Sequence, residues 1–583
     1  MTTRTPRTES SQEYDVVVVG SGAGGLATAV TAAHHGLRVV VLERAPVCGG
    51  ATAWSGAWMW APGNHLAQAD GVREETGEVS GYLRAALGED YEPARVDAFL
   101  DAAPRMVRFF HDRTALTFVP GAKICDIYGD LPGAGTGHRS VAPAPADLRR
   151  LGDDVARLLR RQLYETSFLG MGIMAGPDLA GFLGAARGNV RGLLHATRRV
   201  TRHLFDLVTA RRGMQLVNGT ALVGRLLRSA LDAGVDIHVS SPVTELIRED
   251  GRVTGVVAST ADGPLRITAT RGVVLATGGF PRDEARRRQL FPRGEQHWTL
   301  APEEADGAGA DLGISAGGRL RTDLASPAAW CPVSLVPYRN GRTGVFPHIM
   351  DRAKPGSIGV LPDGRRFVNE ANGYYDYVAA MISATEDGKP VEAWQIADAR
   401  FVRRFPLGMA KPFPVPLFPY LRSGYLRRGR TLAELARVCG IDPAGLTATV
   451  EEFNDAARRG VDPAFGRGST PFNRYGGDPK ATPNPSLAPL EKGPFYAVRV
   501  VPGSFGTFAG LATDRHARVL GDRDQPVSGL YAVGNDQANV MGGHYPAGGI
   551  NLGPAMTFGW IAARHLAHLG AGQETDATTP GES

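Results

Sequence analysis

The glycine cluster Gly20-Ser21-Gly22-Ala23-Gly24-Gly25 follows directly on the apolar run Val16 to Val19, and Glu43 stands at the end of the next apolar run, Val39 to Leu42. Strand, glycine turn, helix, strand and terminal acid in that order form the fingerprint of a dinucleotide-binding unit. Each part has a physical role. Gly20 makes the tight turn, Gly22 lets backbone approach a pyrophosphate, and Gly25 lets the helix pack closely on the strand. The helix N-terminus turns free N–H groups toward phosphate oxygens, which brings Ala23 and Gly24 into the expected binding strip. Glu43, beside Arg44, can accept hydrogen bonds from an adenosine ribose, and a carboxylate there repels an additional 2'-phosphate. The unit therefore favours FAD or NAD over NADP.

Composition narrows the class further. At 583 residues the chain can form two or three domains with a large core. Cys48, Cys125, Cys331 and Cys439 lie far apart with no CxxC pair. Neither a disulfide framework nor a metal site is expected, and a reducing, cytoplasmic setting is. No apolar run reaches the roughly eighteen residues that would cross a bilayer. The net charge of +5 is small for this length, and no nucleic-acid motif accompanies it. Arginine concentrates between Arg149 and Arg212, with Leu158, Leu159, Leu163, Leu193 and Leu194 interleaved at helical spacing. Solvated faces of amphipathic helices are expected there, with a peripheral membrane or acidic-partner surface as the alternative. Residues 1 to 12 and 572 to 583 read as disordered ends.

Further along, Cys48 to Gly56 is dense in small residues and is followed by Trp58 and Trp60. Such a segment lets backbone approach a ligand beside a flat aromatic wall. Residues 65 to 210 read mostly as helices. From Gly234 the pattern turns to strands: Asp236 to Val239, Val243 to Arg248, a turn at Asp250-Gly251, Val253 to Ser259, and Leu265 to Thr270, expected as an antiparallel meander. It leads into the apolar strand that ends at Ala276-Thr277-Gly278-Gly279, a second place for backbone to meet a cofactor. Residues 320 to 489 are richer in Pro and aromatics and interrupt the first domain, to which Gly529 to Asn535 and Gly548 to Leu566 return.

Taken together, Gly20 to Gly25, Gly49 to Gly56, Ala276 to Phe280, Gly364 to Glu370 (GRRFVNE), Gly493 to Tyr496, Gly529 to Asn535 and Met541 to Gly549 resemble the FAD-dependent fumarate reductase and succinate dehydrogenase flavoprotein superfamily. Within it they are most similar to the 3-ketosteroid 1-dehydrogenase branch. The resemblance implies an α/β chain: a Rossmann-like FAD-binding domain of the glutathione-reductase type (residues 13–319 and 490–571), interrupted by an α+β substrate or capping domain (320–489). It implies non-covalent FAD, its ADP half on Gly20 to Gly25, Glu43 and Arg44. The remaining contacts implied are Gly50, Ala51, Thr52, Ser55, Gly56, Val243, Ala276, Thr277, Gly278, Gly534, Asn535, Gly549, Ile550 and Leu552. No second full fingerprint is visible, so electrons are expected to pass to an external acceptor.

Fumarate reductases place an arginine five residues after the Asn of GRRFVNE and another near the C-terminus; here those positions are Tyr374 and Pro546. Two binders of carboxylate are absent. The ketosteroid branch implies instead that Tyr545 and the N–H of Gly549 polarise a ketone, that Tyr374 is the base, and that hydride leaves the neighbouring carbon for the flavin. A steroid or other apolar cyclic ketone is then the expected substrate. The branch's supporting tyrosine falls on Ile127, with Tyr128 one place later as its candidate replacement. An ene-reductase for an enone or acrylate-like substrate, and a non-catalytic flavin-binding protein, remain alternatives. Trp330, Phe346, Tyr420 and Tyr425 are candidates for an apolar wall, Glu370 for a flavin neighbour or a residue that holds its segment, and His348 and His544 for site-lining or structural histidines. His34, His35 and His65 are the remaining candidates for a covalent flavin link.

Overall fold

Runs of β-branched residues buried on both faces call for a central parallel sheet, and Val16 to Val19 and Val39 to Leu42 are such runs. In the computed structural model, which describes residues 11–568, they become β1 (Ser11–Val19) and β2 (Val39–Leu42), joined by α1 (Ala23–His34). Helices follow: α2 (Pro93–Arg113), the hairpin α3 (Pro177–Ala186) and α4 (Val190–Ala210), and α5 (Asn218–Asp232). Four strands come next, β3 (Asp236–His238), β4 (Val243–Glu249), β5 (Arg252–Thr260) and β6 (Gly263–Leu275). A separate antiparallel sheet is built from β7 (Ser357–Val360), β8 (Ala393–Ala397), β9 (Leu426–Gly429) and β10 (Phe495–Val500), in the order β7-β8-β10-β9, with α6 (Tyr374–Ser383) between its first two strands. The chain then returns through β11 (Arg518–Leu520), β12 (Pro526–Ala532) and α7 (Leu552–Leu566).

The main sheet runs β11-β12-β6-β1-β2-β3, with β5 paired to β6 and β4 to β5. Strands β12, β6, β1, β2 and β3 are mutually parallel. Two sequence expectations change here. Asp236 to His238 does not belong to the meander; it adds to the parallel edge beside β2, Val40 facing Asp236. Leu265 to Thr270 and Gly272 to Leu275 are not two strands but one, since β6 pairs β5 with its first half and lies between β1 and β12 with its second. At 13 residues β6 is long enough to serve both sets of partners.

Ser11 and Gln12 are not part of a disordered end: they pair with Arg266 and Ile267, because β6 extends far enough to supply a ladder. The rest of the two expected tails, 1–10 and 572–583, lies outside the described residues. Helix α4 keeps Arg191, Arg198 and Arg202 exposed, as expected of a solvated face, but adds ion pairs: Arg199 to Asp178 at 3.2 Å and Arg202 to Asp147 at 2.7 Å, while Arg149 reaches Asp206 of the helix at 2.7 Å. Val190, Leu193, Leu194, Phe205 and Val208 face outward. Among the described residues no helix is long and apolar enough to cross a membrane.

Candidate active site

The carboxyl ends of β1, β2, β6 and β12 open on a cavity of about 1230 Å³, lined by Val19-Gly20, Leu42-Glu43, Ala276 and Val533-Gly534. Ligands bind outside the carboxyl ends of parallel strands because helix N-termini and free backbone groups converge there. The three fingerprint glycines divide their work. A Cβ on Gly20, whose φ is +107°, would lie 2.2 Å from the Ala276 carbonyl oxygen, and one on Gly25 would lie 2.1 Å from that of Gly20. Gly22 has no such neighbour: its nearest atom is Thr52 Oγ1 at 3.7 Å. The open face of Gly22 at the N-terminus of α1 is the cradle a diphosphate requires.

Glu43 is buried at the end of β2 and accepts from the Ser21 N–H at 3.1 Å, the Ser21 hydroxyl, and the Ala45 N–H at 2.9 Å. A carboxylate has about four lone-pair sites, so acceptor capacity remains for a ribose. Thr52 Oγ1 accepts from the first amide of α1, Ala23 N–H, at 3.0 Å. This ties the Gly50–Trp54 turn to the glycine loop. Of the residues expected to meet the cofactor, all but two line the cavity; Gly25 and Ile550 do not. Gly25 is spent on helix–strand contact, and Ile550 is fully buried in the main hydrophobic core. The donors and the cradle therefore fit FAD. Among the described residues no histidine lines the cavity; His34 and His35 pack on Phe109, and His65 on His111.

At the other end of the cavity Tyr374, Tyr545 and Gly549 come together. Gly373 caps α6 and starts the helix at Tyr374, which fixes where that ring points. The Tyr374 and Tyr545 rings meet edge to face with centroids 4.9 Å apart, and Tyr374 meets Phe505 likewise at 5.3 Å. Asn551 Nδ2 donates to the Tyr545 hydroxyl at 3.0 Å. Since that oxygen already accepts, its own proton is directed elsewhere. Gly549 has φ +105°, and a Cβ would meet the backbone of Trp58 and Trp60 at 2.8 and 2.6 Å. Burial pushes the Tyr374 phenol well above its ordinary range, with the neighbouring Tyr545 adding to the shift and Arg352 opposing it. Burial likewise raises Tyr545, and its bonds with Tyr374 and Asn551 oppose the rise.

The segment that holds Tyr545 is clamped from behind. Pro546 O accepts from the Tyr82 hydroxyl at 2.6 Å and the Ile127 N–H at 2.8 Å. Ile127 packs against Gly373, directly behind Tyr374. Tyr128 does not line the cavity: its hydroxyl bonds Asp376 at 3.3 Å, on the far side of the first turn of α6. The side chain at 127 is aliphatic, and Tyr128, one residue on, lies outside the cavity lining.

Other candidates resolve individually. Phe346 lines the cavity, whereas Trp330 packs with Phe291 and His297, Tyr425 bonds Ser334, and Tyr420 lies beside Tyr425. Glu370 is fully buried away from the cavity between Arg366 at 2.7 Å and Arg467 at 3.1 Å, so it holds its own region together. His544 bonds Asp90, and His348 bonds Asp351 and Ser334. Ser55 faces the cavity, but its hydroxyl donates to Thr52 O and accepts from Ala57 N–H. Sequence reading missed Asn551, Phe505 and Lys411. Asn551 sits two residues beyond a candidate donor and could have been found by proximity; Phe505 and Lys411 carry no local signal.

The chain belongs to the FAD binding domain family, whose model matches residues 15–552. It is 41% identical over 566 residues to a 4-oxocyclohex-2-ene-1-carboxylate 5-dehydrogenase of Sinomonas cyclohexanicum, covering 96% of this chain and 95% of that one. It is 37% identical over 578 residues to a 3-oxosteroid 1-dehydrogenase of Mycolicibacterium smegmatis, covering 96% and 98%. Its fold matches the crystal structure of the 3-ketosteroid delta1-dehydrogenase of Sterolibacterium denitrificans, solved with 1,4-androstadiene-3,17-dione, with a TM-score of 0.87 at 36% identity over 96% of this chain and 100% of that one. The chain is thus an FAD-dependent oxidoreductase of the dehydrogenase type.

Proposed function

We propose that this enzyme desaturates a cyclic ketone at the carbon–carbon bond next to its carbonyl, with residues 320–489 acting as the domain that covers the substrate. The observation that carries this reading is the pairing of Tyr374 and Tyr545 with Gly549 in one cavity. The arginines that line that cavity, Arg44 and Arg160, are each paired with a carboxylate, Asp306 and Glu304. A dicarboxylate would find no free guanidinium pair there.

Tyr545 Oη and the Gly549 N–H donate to the ketone oxygen and stabilise the enolate that develops on it. Each such donor in a dry site supplies about 3 kcal/mol. Tyr374 Oη takes the proton from the α-carbon. The β-carbon gives up its hydrogen with both electrons, and a carbon–carbon double bond forms between the two. FAD, when bound, supplies the two-electron acceptor for that hydride and passes the electrons to an external acceptor. The product is an α,β-unsaturated ketone. Relatives named for steroid ketones and for oxocyclohexene carboxylates both support a ring ketone as substrate. The four free cysteines support a reducing, cytoplasmic setting.

The test is anaerobic mixing of the flavin-loaded enzyme with a panel of 3-ketosteroids and substituted cyclohexanones. Bleaching of the flavin absorbance, with a product lacking two hydrogens, is the expected result. Unchanged spectra across the panel would sink the reading.

A further inference from the structure

Three cations line the cavity: Arg44, Arg160 and Lys411. The arginines are each neutralised by a carboxylate, but Lys411 is not. Among the described residues no carboxylate oxygen lies within ion-pair distance of its Nζ. The lysine stands on the segment 406–415, where the cavity wall is otherwise made by Pro406, Gly408, Pro412, Phe413, Pro414 and Val415. Its ammonium stands over the ring of Phe346, 5.8 Å from the centroid. An aromatic face at that distance is a weak substitute for an anion.

The carboxylate that acts on Lys411 is Asp351, which lines the same cavity; one of its oxygens, Oδ2, is engaged elsewhere, while among the described residues its buried Oδ1 has no hydrogen-bond partner. Its Oδ2 takes His348 Nδ1 at 2.7 Å and the Gly408 N–H at 2.8 Å. Burial pulls Lys411 down to about 8, with Asp351 opposing, which leaves the ammonium as the main form at neutral pH. A charge withdrawn from water into an apolar wall is costly until an opposite charge meets it.

We propose that Lys411 binds a carboxylate carried by the substrate, so that the ring ketone this enzyme oxidises is an oxo acid whose acid group lies remote from the carbonyl. The ketone end of this statement rests on the function proposed above; the anion site rests on Lys411 and its surroundings. The two contacts have complementary purposes. Tyr545 and Gly549 hold the oxygen, Lys411 holds the opposite end, and a ring fixed at two points presents one edge to the hydride acceptor. A monocarboxylate needs one cation, so the missing arginine pair of the dicarboxylate enzymes is no obstacle.

The test compares acids with their methyl esters in the flavin-loaded enzyme, using two lengths: 4-oxocyclohexanecarboxylate, and a steroid 3-ketone bearing a carboxylate on its five-membered ring. For at least one pair, kcat/KM for the acid should exceed that for the ester by about tenfold or more, the range of a charge-assisted bond. Lys411→Arg should keep that ratio, and Lys411→Met should bring it to about one while the flavin spectrum of the purified protein stays intact. Equal treatment of acid and ester by the unmodified enzyme, or a ratio that survives Lys411→Met, overturns the proposal.

A second measurement separates it from the ketone reading. The unreactive alcohol 4-hydroxycyclohexanecarboxylate and its methyl ester, with the corresponding steroid alcohol pair, are titrated by flavin absorbance and by the shift in melting temperature. If no ketone reduces the flavin but an acid alcohol still binds in preference to its ester through Lys411, the anion site stands and the ketone reading falls. If none of the acid alcohols is preferred, the anion site falls as well.

Discussion

Tyr545 is the side chain on which the proposed chemistry most depends, and its surroundings set what its loss should do. With Asn551 donating to its oxygen, its proton is available to a carbonyl. Tyr545→Phe should therefore retain flavin yet slow ketone-dependent flavin reduction by about a hundredfold, the cost of one donor to a developing oxyanion. Stopped-flow rates on protein of unchanged flavin content check this, and an unchanged rate would contradict it. Tyr374 yields a prediction in pH. Burial raises its phenol above the ordinary range, so the phenolate fraction stays small and grows with pH throughout the accessible window. The rate of flavin reduction should climb by about tenfold per unit from neutrality to about pH 9. A plateau near neutrality would show that another group takes the proton.

At the scale of the element, the glycine loop separates two kinds of constraint that look alike in sequence. Gly22 has extended backbone at the N-cap of α1 and open space beyond. Gly22→Val should leave the apoprotein within about 1 kcal/mol of its parent stability but abolish FAD retention, because the new side chain fills the diphosphate cradle. Gly25→Val must collide with the Gly20 carbonyl and should cost more than about 4 kcal/mol, or prevent folding. Flavin absorbance and denaturant unfolding distinguish the two outcomes. This loop was fully legible in the sequence because its parts are consecutive and its geometry is local. The extent of β6 and the place of β3 were not, since pairing partners are chosen by elements hundreds of residues away. The ion pairs of helix α4 were hidden for a related reason: Asp147, Asp178 and Asp206 meet these arginines only once the chain is folded. In the site, motif residues could be named one by one, whereas Lys411 and Phe505 acquire meaning only from the walls opposite them.

For the whole molecule, acid stability turns on buried ion pairs in the second sheet's region. Glu370 is fully buried between Arg366 and Arg467, and those two cations hold its carboxyl down to about 2. A depressed folded-state value means that its stabilisation is complete above the unfolded value, about 4.3, and is lost as pH falls from there toward about 2. Glu370→Gln takes the carboxylate from Arg467 and leaves Arg366 with Asp462 alone, and should cost about 3–5 kcal/mol at pH 7. The gap between variant and parent should narrow as the acid limit is approached, and thermal melts across that interval would reveal it. A gap independent of pH would assign the loss to packing instead.

The order of the main sheet also bears on how the chain is born. Strand β12 lies against β6, and α7 rests on α1, although more than 250 residues separate β6 from its partner. During synthesis the nascent dinucleotide unit leaves the ribosome with one flank of β6 unpaired and one side of α1 bare. An unpaired flank of this kind invites association with other chains. At translation rates of about 5–20 residues per second, that exposure lasts for tens of seconds. Cells that make this protein must shelter its first half until its final segment arrives.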